Sequence, residues 1–188
     1  MKKLMMAVSL PIMLMAAPVF SADYKIDSGH SFVEFRIQHL GYSWLYGRFN
    51  NIKGLLSYDA KEPNVASIKV LIDPASVDTN HAERDKHLMG DDFLDVKNFP
   101  EASFTSTGFQ LDEAGAGMLM GILSLHGVEK EITISVSKIG EGNDPWGGYR
   151  AGFEGTLNLV RSDFGLGYNL GPASEEIEFR LGIEAIRQ

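Results

Sequence analysis

Cysteine is missing from all 188 residues. The fold therefore holds no disulfide, carries no lipoprotein-type acylation on cysteine and uses no thiol nucleophile or thiolate metal ligand. Beyond the first twenty residues there is no apolar run long enough to cross a bilayer as a helix. Motifs for common chemistry are missing too. There is no Gly-x-Ser-x-Gly elbow, no His-Glu-x-x-His, no Walker loop and no Gly-x-Gly-x-x-Gly, which removes the usual hydrolase, zinc-protease and nucleotide readings. Positive charge is scarce: 17 Lys and Arg stand against 25 Asp and Glu, for a net charge of −8. That sign disfavours nucleic acid and anionic membrane surfaces as partners.

What is present begins with an export pattern. Met1-Lys2-Lys3 precedes an apolar stretch from Leu4 to Phe20, broken by Pro11 and Pro18, the layout of a cleaved secretory leader. Val19 and Ser21 suit the small positions before a cut, so the leader is expected to be 1–21, with Ala22 as the alternative cleavage site. The remainder, 22–188, is long enough for one domain with a sizeable core. A bacterial periplasmic location fits this start, with no stable membrane insertion after cleavage.

That remainder alternates. Val33, Phe35, Ile37 and His39 fall on one face of a strand over Ser31 to Leu40, with Glu34, Arg36 and Gln38 on the other. The same period returns at Ile68 to Ile72, Ile132 to Val136, Ala151 to Leu159 and, most regularly, Glu176 to Ala185. Further strands are expected over Gly47 to Tyr58, Ala102 to Phe109 and Met118 to Leu125, giving about eight separated by short turns. Short connections favour antiparallel neighbours. Strands near ten residues long, with Gly152, Gly155 and Gly182 inside them, favour a closed eight-stranded barrel over two stacked sheets.

One segment breaks the pattern. Over Ser76 to Leu88 the spacing predicts a short helix of about ten residues, capped by Asn80 with Glu83 as its capping-box partner and ended at Gly90, within a helical insert near 80–97. His81, Arg84, Asp85 and Leu88 share one of its faces. Charged groups turned inward need partners, so this stripe builds either a structural network or a ligand contact. As metal ligands the histidines are poorly placed, because His81 and His87 are six residues apart and point in different directions. His81 with Asp85, or His87 with Asp91, has a ligand pair's spacing but only two donors. No metal and no required cofactor is expected.

Read in order, several motifs resemble the YceI-like family: Tyr24-Lys25-Ile26-Asp27, His30-Ser31, His39-Leu40-Gly41, Gly47-Arg48-Phe49, Ser76-Val77-Asp78-Thr79, Arg84-Asp85-Lys86-His87-Leu88, Asp92-Phe93-Leu94-Asp95 and Phe99-Pro100. The tail agrees, with Gly121-x-Leu123, Gly127-Val128, Arg161-Ser162-Asp163-Phe164-Gly165 and Leu170-Gly171-Pro172-Ala173-Ser174. The resemblance spans essentially the whole chain after the leader. It implies an elongated, lipocalin-like antiparallel barrel that carries a polyisoprenoid or similar long amphiphile in a hydrophobic pore, without established catalysis. Family members look able to hold different long chains, including prenyl quinones and fatty-acid amides, so an isoprenoid lipid or quinone is the expected cargo. A Gly-x-Trp signature is absent near Trp44 and Trp146, so only the lipocalin architecture carries over.

Under that implication the pore is expected to use Val33, Phe35, Ile37, His39, Phe49, Phe104, Met118, Met120, Phe153, Phe179 and Leu181. The mouth or lid is expected to use Trp44, Tyr46, His81, Arg84, Asp85, His87 and Leu88, with Arg161 paired to Asp163 or to the lid. Alternation alone does not separate a ligand tube from a barrel filled by its own side chains. A cargo-free envelope stress or interaction protein therefore stands as one alternative. A hydrolase or isomerase working through His39, His81 or Asp85 stands as another. A homodimer through an exposed edge or the mouth is left open.

Overall fold

Residues that alternate in polarity satisfy both their backbone and their apolar face by pairing into sheet, and the computed structural model, which describes residues 21–188, is built almost entirely this way. The strands are β1 (Ala22–Ile26), β2 (Phe32–His39), β3 (Ser43–Phe49), β4 (Ile52–Tyr58), β5 (Ser67–Ile72), β6 (Val77–Asp78), β7 (Ala102–Leu111), β8 (Ala116–Leu125), β9 (Val128–Asn143), β10 (Tyr149–Val160) and β11 (Glu176–Arg187). One helix, α1 (Ala82–Leu88), lies between β6 and β7. The leader expected over 1–21 lies, apart from Ser21, outside the described residues. Among those described, no helix is long and apolar enough to cross a membrane.

Every pairing is antiparallel, and the eleven segments close into an eight-stranded barrel. The counts agree because three pairs of segments are single strands with a break. β1 and β2 lie end to end along β11, pairing Lys25 with Ile186 and Phe35 with Phe179. β4 and β3 lie end to end along them, and β5 and β6 along those in turn. The strand expected over Gly47 to Tyr58 is thus interrupted at Asn50-Asn51, where Asn50 N–H donates to Ser76 O and Asn51 N–H to the Ser76 hydroxyl. From β7 onward the strands are long and continuous, each beside the next, until β11 meets β1 and closes the ring. Gly152 marks a register shift between β9 and β10, as expected of a strand glycine at a bend.

Inside, the two halves of the barrel differ. At the β1 end Tyr24, Tyr58, Phe109 and Phe153 are all buried and meet edge to face: Tyr24 with Tyr58 at 6.5 Å, Tyr58 with Phe153 at 5.3 Å and Phe109 with Phe153 at 6.0 Å. Ala151 and Ala185, with no exposed surface, leave room for these rings. This half is a packed plug. The other half keeps its rings against the wall: a Cβ on Gly47 would stand 2.3 Å from the Phe35 ring and one on Gly121 2.4 Å from that of Phe104, so two neighbouring strands accept a phenylalanine face where a larger residue would force it inward.

The helix corrects the expectation in detail. It has seven residues, and His81, rather than Asn80, caps it, its Nδ1 accepting from Arg84 N–H at 3.3 Å. Asn80 adopts φ 61°, the left-handed turn that Asn tolerates, with its N–H donating to Asp78 Oδ1. Glu83 is accordingly on the surface beside His81 rather than reaching back to Asn80. After Leu88 the chain winds through turns, with Leu94 N–H on Leu88 O and Phe99 N–H on Asp95 O, before joining β7.

Candidate ligand cavity

Above the aromatic plug the barrel encloses a cavity of about 520 Å³, within the range of small-molecule sites. It is open space, so the barrel is not filled throughout. The wall is supplied by alternate residues of the strands: Val33, Phe35 and Ile37 from β2, Phe49 from β3, Phe104 from β7, and Phe179 and Leu181 from β11. The sequence reading named all seven. His39 lies at the upper end of the same row, where β2 reaches solvent.

Met118 and Met120 do not join them. They point outward, Met118 being half-exposed, and Leu119, Leu123 and Leu125 face the cavity instead. Sequence could not choose between them, since Met118 to Leu123 is apolar on both faces and a slip of one residue exchanges inside for outside. Phe153 is inward but lower, part of the plug, where it borders only a void of about 60 Å³. Leu157 and Leu159 of the same strand line the main cavity.

The open end is roofed by three pieces. His87, Leu88, Phe93 and Leu94 come from α1 and its following turns, Leu166, Tyr168 and Leu170 from the loop after β10, and Leu40 from the β2–β3 turn. His87, Phe93 and Tyr168 form an aromatic trio, with Phe93 and Tyr168 centroids 4.9 Å apart and the His87 ring 5.0 Å from Phe93. His87 Nε2 lies 2.9 Å from Asp92 Oδ2, so its acidic neighbour is Asp92 rather than Asp91. Phe93 and Tyr168 were not anticipated, because they lie in turns where periodicity carries no signal.

The polar stripe of α1 anchors the roof. Asp85 Oδ1 accepts from Thr79 N–H at 2.9 Å and from the Thr79 hydroxyl. Arg84 donates through Nε to Thr79 Oγ1 at 2.7 Å and through Nη2 to Thr79 O at 2.6 Å. Thr79 is buried, and these two side chains satisfy its polar atoms. Asp85 and His81 therefore do not border the cavity, and His81 stands in solvent as the helix cap. Arg84 borders both the cavity and a groove on the outer wall. Trp44 and Tyr46, expected at the mouth, lie on that outer groove, with the Arg36 guanidinium 4.3 Å above the Trp44 ring.

A second anchor is Arg161, 3% exposed. Its Nε donates to Ser174 O at 2.8 Å, Nη1 to Leu166 O and Nη2 to Glu175 Oε1 at 2.9 Å. The Ser174 hydroxyl donates in turn to Gln38 O at 2.7 Å, tying the roof loop to β2. The sequence reading joined Arg161 to Asp163 or the lid, but Asp163 pairs with Lys130 at 3.0 Å. With the charges occupied in this way, the cavity's polar border is small: Gln38, His39, Arg84, His87, Arg161, Tyr168 and Ser174 among an otherwise aliphatic and aromatic lining.

Near the plug, outside the barrel, Arg150 sits among Asp27, Asp144 and Glu184, with Nη1 2.7 Å from Asp27 Oδ2 and Nε 2.8 Å from Asp144 Oδ2. Arg150 and His30 together hold the Asp27 carboxyl down to about 2. Among the described residues, Asp27, His30 and Glu184 are also the one group whose donor atoms stand close enough for a cation, but the Arg150 guanidinium already bonds both of its carboxylates.

Residues 24–185 match the model of the YceI-like domain. A UPF0312 protein of Pseudomonas aeruginosa is 52% identical over 190 residues, covering 100% of this chain and 99% of its own. The Campylobacter jejuni YceI protein superposes with a TM-score of 0.73 at 28% identity, over 81% of this chain and 90% of that one. A polyisoprenoid-binding domain from Saccharophagus degradans superposes with a TM-score of 0.67 over 89% of this chain and 99% of its own, and at 17% identity that likeness is one of fold.

Proposed function

The chain belongs to the YceI-like family, and on that premise we propose that it binds a polyisoprenoid or similar long-chain amphiphile, holding the apolar chain inside the barrel and so storing or carrying it through the periplasm. The observation that carries this reading is the cavity of about 520 Å³, apolar along its walls, blind at the aromatic plug and roofed at the other end by an anchored helix. Such a tube suits a hydrocarbon chain, each Å² of which gains roughly 25 cal/mol on leaving water without directed polar contacts. Val33, Phe35, Ile37, Phe49, Phe104, Phe179 and Leu181 are the proposed chain contacts, and His87, Leu88 and Arg84 the contacts at the roof. Asp85, Arg84 and Arg161 hold the roof through Thr79 and Ser174, which favours a binding role over catalysis by these charged groups.

Mass spectrometry of lipid extracted from protein purified from the periplasm without detergent tests the reading. A long-chain isoprenoid or other amphiphile should co-purify in near-stoichiometric amount, and stripped protein should take up a prenyl lipid. Protein that carries no long-chain lipid and takes none up sinks the proposal.

A further inference from the structure

β3 has an unfinished edge. Its outer side pairs with β6 only at Arg48 and Phe49, so from Ser43 to Gly47 no strand among the described residues lies beside it, and alternate backbone N–H and C=O groups there are left without a strand partner. That space is a groove of about 660 Å³ between β3 and the Asp78-Thr79-Asn80 segment. Its lining is informative, because residues from both faces of β3 take part: Leu45 from the inner face, Trp44 and Tyr46 from the outer. A groove on one face of a sheet would meet only one set. This one lies along the free edge, where the outer and inner faces of β3 meet. Phe35, His39, Leu45 and Arg84 border both it and the apolar cavity.

We propose that this lateral seam is a second compartment of the ligand site, in which an uncharged, flat, carbonyl-bearing head group sits against Arg84 and the free edge of β3 while its apolar chain occupies the cavity. The proposal rests on the amphiphile-binding reading above and adds where the head goes and which class of head fits. Arg84 spends Nε and Nη2 on Thr79, leaving Nη1 and its two N–H groups without a protein partner among the described residues. They are donors at the border of the two spaces. The charges around the groove balance: Arg84 and Arg48 against Asp78 and Glu34, with Asp78 3.9 Å from Arg48 and also accepting from Asn50. A carbonyl-bearing head gains donors there without disturbing that balance, whereas a diphosphate brings excess negative charge toward two carboxylates. Trp44 and Tyr46 add aromatic faces against which a flat head packs.

Three probes with one tail separate the terms: geranylgeraniol, a naphthoquinone bearing the geranylgeranyl chain, and geranylgeranyl diphosphate, titrated into stripped protein. The quinone should bind about tenfold more tightly than either of the others. Arg84→Met, which removes the donors, and Ser43→Trp, which fills the groove without touching the Thr79 anchor, should each bring the ratio of quinone to alcohol affinity toward one. Two variants are used because loss of Arg84 also loosens α1. Quinone and alcohol of equal affinity, a diphosphate that binds as tightly as the quinone, or an unchanged ratio in both variants overturns the head compartment and leaves the carrier reading standing. No binding of any probe overturns both.

Discussion

Arg161 and Asp27 show how individual charges are put to use. Arg161 is buried with three acceptors around it, two of them backbone carbonyls of the roof loop. Replacing it with Ala leaves those carbonyls and Glu175 without their donor and should destabilise the protein by about 3–5 kcal/mol, the usual effect of breaking a buried charged network. Urea denaturation measures this. Asp27 acts through pH. Its folded-state carboxyl is lowered from 3.8 to about 2, chiefly by the hydrogen bond from Arg150 and then by that from His30. A depressed carboxylate contributes stability that is present above its unfolded value and is lost as pH falls toward its folded one. Between pH about 4 and about 2, therefore, the wild-type midpoint should fall more steeply than that of Asp27→Asn, and equal slopes would show that the pair with Arg150 adds nothing.

At the scale of elements, α1 is a short helix with no buried residue, and Thr79 ties it down through Asp85 and Arg84. Asp85→Ala should lower the free energy of locally opening α1 by about 2 kcal/mol, read as roughly thirtyfold faster amide exchange across Ala82–Leu88 while β7 to β11 keep their protection. Uniform loss of protection would place Asp85 in the global fold rather than the roof. The helix was legible in the sequence through the spacing of His81, Arg84, Asp85 and Leu88. Its cap was not, because Asn80 and His81 both offer a side-chain acceptor and only the left-handed turn at Asn80 decides between them. Strands followed the same rule. β2 and β11, polar on one side, reveal which residues face inward. β8 hides this, since its two faces are equally apolar and only its pairing with β7 and β9 turns Leu119 and Leu123 toward the cavity. The Arg161 anchor joins partners far apart in sequence, Gln38 among them through Ser174, which no local pattern encodes.

For the whole molecule, the division into plug and cavity governs what can be bound. Filling the cavity from its wall, with Leu157→Trp and Leu159→Phe together, should reduce co-purifying lipid at least about tenfold while the melting temperature stays level or rises, because the new side chains occupy open space rather than a packed core. Lipid retained at the wild-type level would mean that the chain is held elsewhere.

The breaks at 27–31, 50–51 and 73–76 fall on adjacent strands and at matching heights, so they form a crease across one side of the barrel, opposite continuous strands that have none. Above the crease β2, β3 and β6 wall the open cavity, while below it β1 and β4 close on the aromatic plug and β5 serves both. The bore therefore ends on packed rings, a floor that sets how far down a guest can reach.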